Sequence, residues 1–197
     1  MERMMRNTGW IIALLLLSAT SVFAHSGEGV TGGFISGALH PLAGLDHVTA
    51  MVAVGILGAF LGRPAIWVLP VVFPLVMALG GIMGIMGIPV PAIETGIAVS
   101  SVVLGLMILL ALKPPLWIAA LIVAAFAVFH GHAHGTELPN AANALSYSVG
   151  FVIATGLLHL AGILIGELIR WPAGLIIARG IGGLIALAGV GFLTGTL

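Results

Sequence analysis

Six apolar stretches, near residues 33–61, 65–87, 92–112, 116–134, 141–168 and 173–195, fill nearly all of the chain beyond its leader. Each is close to or longer than the roughly 20 residues a helix needs to cross a bilayer. The breaks between them are short and carry proline or polar residues: Arg63-Pro64, Pro89-Val90-Pro91, Lys113-Pro114-Pro115, Gly135 to Asn140, and Arg170-Trp171-Pro172. This pattern predicts an all-α integral membrane protein. Residues 25–197 form one compact six-helix transmembrane bundle, with no soluble module.

Composition narrows the chemistry. Only 6% of the 197 residues are charged, whereas soluble domains carry about 25%. The formal net charge is zero, so no basic patch argues for nucleic acid. There is no cysteine. Disulfides and thiolate sites are excluded, and any metal must be held by nitrogen, oxygen or thioether. Met77, Met83 and Met86 read as gap-fillers rather than thioether ligands. The 29 glycines suit helix backbones in close approach. Gly80-Gly81-Ile82-Met83-Gly84 and Gly180-Ile181-Gly182-Gly183 read as packing faces, available also to a second copy of the chain.

Residues 1–24 read as a cleaved secretory signal peptide. Arg3 and Arg6 form the basic region, Trp10 to Leu17 the apolar core, and Val22-Phe23-Ala24 the small-residue cleavage site. Of the remaining basic residues, Arg63, Lys113, Arg170 and Arg179 all fall on one side of the bundle. The positive-inside rule makes that side cytoplasmic. Both mature termini then lie outside, as a signal peptide requires. The expected location is the bacterial cytoplasmic membrane, with the lipid bilayer as partner.

Depth places the ionisable residues. His47 is 16 residues outward from Arg63, roughly 24 Å at helical rise. Asp46 falls near roughly 25 Å, and His40 near roughly 34 Å if the helix is unbroken. Glu94 is roughly 28 Å and His130 roughly 25 Å outward from Lys113. Asp46, His47, Glu94 and His130, from three helices, thus share a layer just inside the outer membrane face. His159 is roughly 16 Å outward from Arg170, near the midplane.

The first motif is His40-Pro41-Leu42-Ala43-Gly44-Leu45-Asp46-His47. Its histidines are seven apart and share one face of a continuous helix, with Pro41 and Gly44 expected to kink it or delay its start. Asp46 either binds metal or orients an imidazole. The bland reading is an interfacial His40 and an Asp46 that caps a turn. The second motif is Phe129-His130-Gly131-His132-Ala133-His134-Gly135-Thr136-Glu137. His130 and His134 share a helix face, while His132 points elsewhere unless the backbone becomes extended near Gly131 and Gly135. Histidines that complement a helix C-terminus would explain His132 or His134, but not His130 inside an apolar run. Glu94 opens its helix, an ordinary place for a carboxylate; its depth ties it to the histidines. His159 stands alone on an apolar helix. It reads as a hydrogen-bonded structural residue or as part of an ion path.

Imidazoles and carboxylates without thiolate suit nickel, cobalt or zinc; copper(I) would want sulfur. The chain resembles the HupE/UreJ family of nickel/cobalt permeases. The likeness rests on both motifs, on Glu94-Thr95-Gly96-Ile97-Ala98-Val99-Ser100-Ser101-Val102 and on Leu157-Leu158-His159-Leu160-Ala161-Gly162. The resemblance implies secondary uptake of Ni²⁺ or Co²⁺, with functional roles for His40, Asp46, His47, Glu94, His130 and Glu137. Another class of nickel/cobalt transporters carries His-x-x-x-x-Asp-His, which fits less well, because five residues separate His40 from Asp46 here.

The expected mechanism is capture at the outer layer and passage inward near His159, with no permanently bound cofactor and no ATP-hydrolysing element. Glu167 is the one acidic residue toward the cytoplasmic side. Six helices permit a three-plus-three inverted repeat, although the two histidine motifs are not repeat-related copies. The rival reading is an intramembrane zinc hydrolase, with Asp46 or Glu94 as general base on a lipid-like substrate.

Overall fold

The structure, a computed structural model, describes residues 33–136 and 144–197. The expected signal peptide and Glu137 lie outside the described residues. Seven α-helices follow in order: α1 (Phe34–Ala43), α2 (Leu45–Leu61), α3 (Ala65–Ile85), α4 (Ile93–Leu109), α5 (Leu116–Thr136), α6 (Ala144–Gly166) and α7 (Pro172–Thr194). A 3-10 turn, Glu167–Arg170, extends α6. The apolar runs become helices because a helix satisfies its own backbone where no water can. Proline punctuates them: α3 follows Pro64, α5 follows Pro115, and Pro172 opens α7, where its missing N–H costs nothing.

The stretch expected as one helix over 33–61 is two. The chain breaks at Gly44, and α1 and α2 meet at 86°. Gly44 has extended backbone, φ −100° and ψ 115°, which no helix can pass through. His40 and His47 therefore sit on different helices, and neither the shared helix face nor the depth given to His40 holds. Among the described residues four helices, α3, α5, α6 with its 3-10 turn, and α7, are long and apolar enough to cross a membrane. The bent pair would make a fifth. At 17 residues, α4 is shorter than the roughly 20 a span needs.

Three helix pairs dominate the packing: α1–α2 against α6, α3 against α5, and α4 against α7. Glycine lets each pair close. Gly55 lies on the His159 carbonyl and Gly162 on the Val52 carbonyl. Gly131 lies on the Met77 carbonyl, Gly135 on that of Gly81, and Gly84 on that of His132. Gly105 packs on Gly182 and Ala186. A β-carbon at any of these would enter the partner's backbone. The stripe expected at 180–183 is used only in part: nothing lies near Gly180, while Gly182 meets Ile108.

With α1–α2 counted as one segment, the pairs are first with fifth, second with fourth, and third with sixth. Exchanging the two halves of the chain maps this pattern onto itself. It is the contact topology a three-plus-three repeat produces, and the histidines do not follow it. At the basic end, Arg179 Nε donates to the Leu109 carbonyl at 2.6 Å and so caps α4. Glu167 is ion-paired with Arg170, which ties up the acidic residue on that side.

Candidate metal centre

The break at Gly44 builds the site. It starts α2 so that Asp46 and His47 fall in the first turn. The Asp46 Oδ1 accepts from the His47 backbone N–H and from its Nδ1, both at 2.8 Å. A β-carbon on Gly44 would stand 2.7 Å from that oxygen and 2.9 Å from that nitrogen, so only glycine leaves room for the pair. Thr49 Oγ1 donates to the Asp46 carbonyl at 2.9 Å and lies 2.9 Å from Ser101 Oγ. This hydroxyl clamp registers α2 against α4.

The second motif arrives on α5, which runs helically through Thr136. Phe129 lies over Gly96, where a β-carbon would come within 2.5 Å of its ring. That contact sets α5 against the start of α4. His130 is fully buried, and its Nδ1 donates to the Phe126 carbonyl at 3.0 Å. The His47 ring centroid is 5.0 Å from His130 and 4.4 Å from His134. His40 Nε2 lies 3.0 Å from His134 Nδ1. Two helices at nearly a right angle thus deliver His40 and His47 to the same part of α5.

Hydrogen bonding decides which atoms face the cluster. A carbonyl or carboxylate only accepts, so the anchored nitrogen of His130 and of His47 carries the proton. In a neutral ring the other nitrogen, Nε2, is then a bare lone pair. The Nε2 atoms of His47, His130 and His134 are all buried without a hydrogen-bond partner. One tautomer of the His40–His134 bond leaves the His134 Nε2 bare as well. Each such orphan costs about 1–3 kcal/mol, and a ring nitrogen held by an acceptor opposite the free one is the usual posture of a metal-binding histidine. As they stand, the described residues include no group of three or more His, Asp or Glu arranged to hold an ion. The imidazoles are gathered and oriented, but they do not surround a common point as coordinating ligands would.

The carboxylates lie to one side. Asp46 and Glu94 line one cavity of about 540 Å³, closed in part by Phe192, Leu193 and Leu197 at the end of α7. Glu94 is exposed there, two residues after Ala92, whose left-handed backbone (φ 54°) turns the chain into α4. Asp46 is shared between cavity and cluster, so this vestibule borders the imidazole group at that carboxylate, although no histidine lines it.

The other candidates separate from this group. His132 points away, as the helical spacing requires, and its Nε2 donates to the Ile88 carbonyl at 2.7 Å. His159 lies deeper, only 2% exposed, and both its nitrogens are buried and unpartnered. No protein group among the described residues hydrogen-bonds His159, as the structural reading of it would require. Thr49, Ser101 and Phe73, which packs against both His130 and His159, were missed in the sequence. Ser100-Ser101 in an apolar run was the available signal for the clamp; nothing marked Phe73.

An apolar helical bundle with a buried imidazole cluster beside a carboxylate-lined vestibule fits a multi-pass membrane protein. The model of the HupE / UreJ protein family matches residues 12–192, and the chain belongs to that family. Protein HupE of Rhizobium leguminosarum bv. viciae is 44% identical over 186 residues, covering 94% of this chain and 97% of that protein. No solved structure matches. Members of the family are nickel/cobalt permeases and not enzymes, which sets aside the hydrolase reading.

Proposed function

We propose that this protein is a secondary permease that takes up Ni²⁺ or Co²⁺ across the bacterial cytoplasmic membrane, with both mature termini and the vestibule outside. The observation that carries the reading is the set of three buried, unpartnered Nε2 atoms of His47, His130 and His134. Neutral imidazoles suit these borderline ions. Asp46 and Glu94 concentrate cations in the vestibule. Asp46 also holds the His47 tautomer, and His40 supports His134. Glu137 belongs to the same motif and joins the outer site by the family resemblance. Zn²⁺ fits the same donors. Protons compete for the lone pairs, so uptake weakens as pH falls.

Uptake of Ni²⁺, Co²⁺ and Zn²⁺, each alone, into proteoliposomes by the unaltered protein and by His130→Ala tests this. Uptake of nickel or cobalt that collapses in the variant is the expected result. Uptake that ignores the substitution would reduce the cluster to a structural feature. No flux of any ion through folded, oriented protein would sink the permease reading.

A further inference from the structure

Phe73 of α3 heads the fully buried side chains by size. Its ring centroid is 5.4 Å from that of His130 at an interplanar angle of 64°, and 5.4 Å from that of His159 at 85°. One aromatic ring thus packs edge-on against a member of the imidazole cluster and against His159. Three polar atoms of α6 are buried there with no hydrogen-bond partner: Nδ1 and Nε2 of His159 and Oγ1 of Thr155. Thr155 is fully buried. It precedes His159 by four residues, so both lie on one face of α6. A helical threonine hydroxyl can bond the carbonyl one turn back, and this one does not.

From these positions we propose that Phe73 is a gate, and that Thr155 and His159 form an inner transit site for the same divalent cation. The proposal rests on the uptake reading above. In this reading the Phe73 ring, in contact with both histidines, blocks the passage of an ion from His130 to His159. Rotation of the Phe73 side chain would join the two sites. The inner donor set is sparse and neutral, one imidazole and one hydroxyl. Such a site binds weakly enough to release its ion, which passage through a series of sites requires. Neither His159 nitrogen is anchored, so its ring can turn to receive the ion on one side and offer it on the other.

The test uses the full chain in proteoliposomes with Co²⁺ as the probe. The d–d absorption of bound Co²⁺ reports the outer imidazoles, since coordination geometry is diagnostic. A dye trapped in the vesicles reports flux. Phe73→Ala should raise flux about tenfold with the bound-Co²⁺ spectrum unchanged, and Phe73→Leu should raise it less. Thr155→Val and His159→Gln should each lower flux about tenfold, again with the spectrum intact. Should Phe73→Ala fail to fold, Phe73→Leu carries the decision. Unchanged or reduced flux in the folded Phe73 variants, with the spectrum intact, overturns the gate. Unchanged flux in Thr155→Val and His159→Gln overturns the inner site. If the unaltered protein shows neither spectrum nor flux, the uptake reading fails and the gate falls with it.

Discussion

His47 and His130 each have one ring nitrogen tied to an acceptor and the other bare, whereas His159 has neither nitrogen tied. All three are largely buried, so burial does not separate them. The difference is orientation. A ring anchored at Nδ1 presents a fixed lone pair, which favours holding an ion in one place. An unanchored ring presents nothing fixed, which suits brief contact. The tied pair includes His47, whose partner Asp46 lines the carboxylate cavity, while His159 packs against Phe73. Under the proposed function, the first arrangement selects an ion and the second lets it go.

Removing a member of the anchored group should break this contrast most severely. His130→Ala deletes a lone pair at the centre of the cluster, and uptake should fall by about 100-fold or more in proteoliposome flux. Asp46→Asn keeps the size of the side chain but weakens the hold on the His47 proton. A loss of about 10- to 100-fold in Co²⁺ affinity is expected by titration; an unchanged affinity would mean that His47 needs no anchor. Glu94→Gln touches only the vestibule. It should slow uptake about three- to tenfold at low ionic strength and less in salt, because its role is to attract cations. Gly44→Ala should cost a few-fold in affinity with little loss of thermal stability. The added methyl meets only the side chains of Asp46 and His47 and no backbone, so it disturbs the pair rather than the helix packing, and a large drop in melting temperature would contradict that. His132→Gln should change uptake least, within about twofold. Its anchored nitrogen bonds the Ile88 carbonyl, so its effect belongs in a melting curve. Strong loss of uptake there would return His132 to the ion path.

Much of this molecule was legible without coordinates. The apolar runs gave helices because a bilayer leaves the backbone no other way to satisfy itself. The four-residue spacing put His130 and His134 on one face and turned His132 away. Counting rise from the basic residues grouped Asp46, His47 and His130, and placed Glu94 beside them. The failures came where one residue redirects the chain. A kink or a delayed start at Gly44 is expected, and α2 does start just after it, but the turn there is 86°, so the spacing between His40 and His47 carries no information about their relation. Phe73 and Thr155 were invisible for another reason. Helices that are apolar all round give no periodic sign of which face meets which neighbour.

The sequence by itself determined the solvent the protein lives in, the rough set of helices and the chemistry available to it. Those follow from local composition and spacing, which act over a few residues. Only the tertiary structure decided which nitrogen of each imidazole is free, that His40 reaches α5 at all, and that one phenylalanine packs against both His130 and His159. Those depend on contacts between residues far apart in the chain, fixed by how glycine lets one helix backbone rest on another.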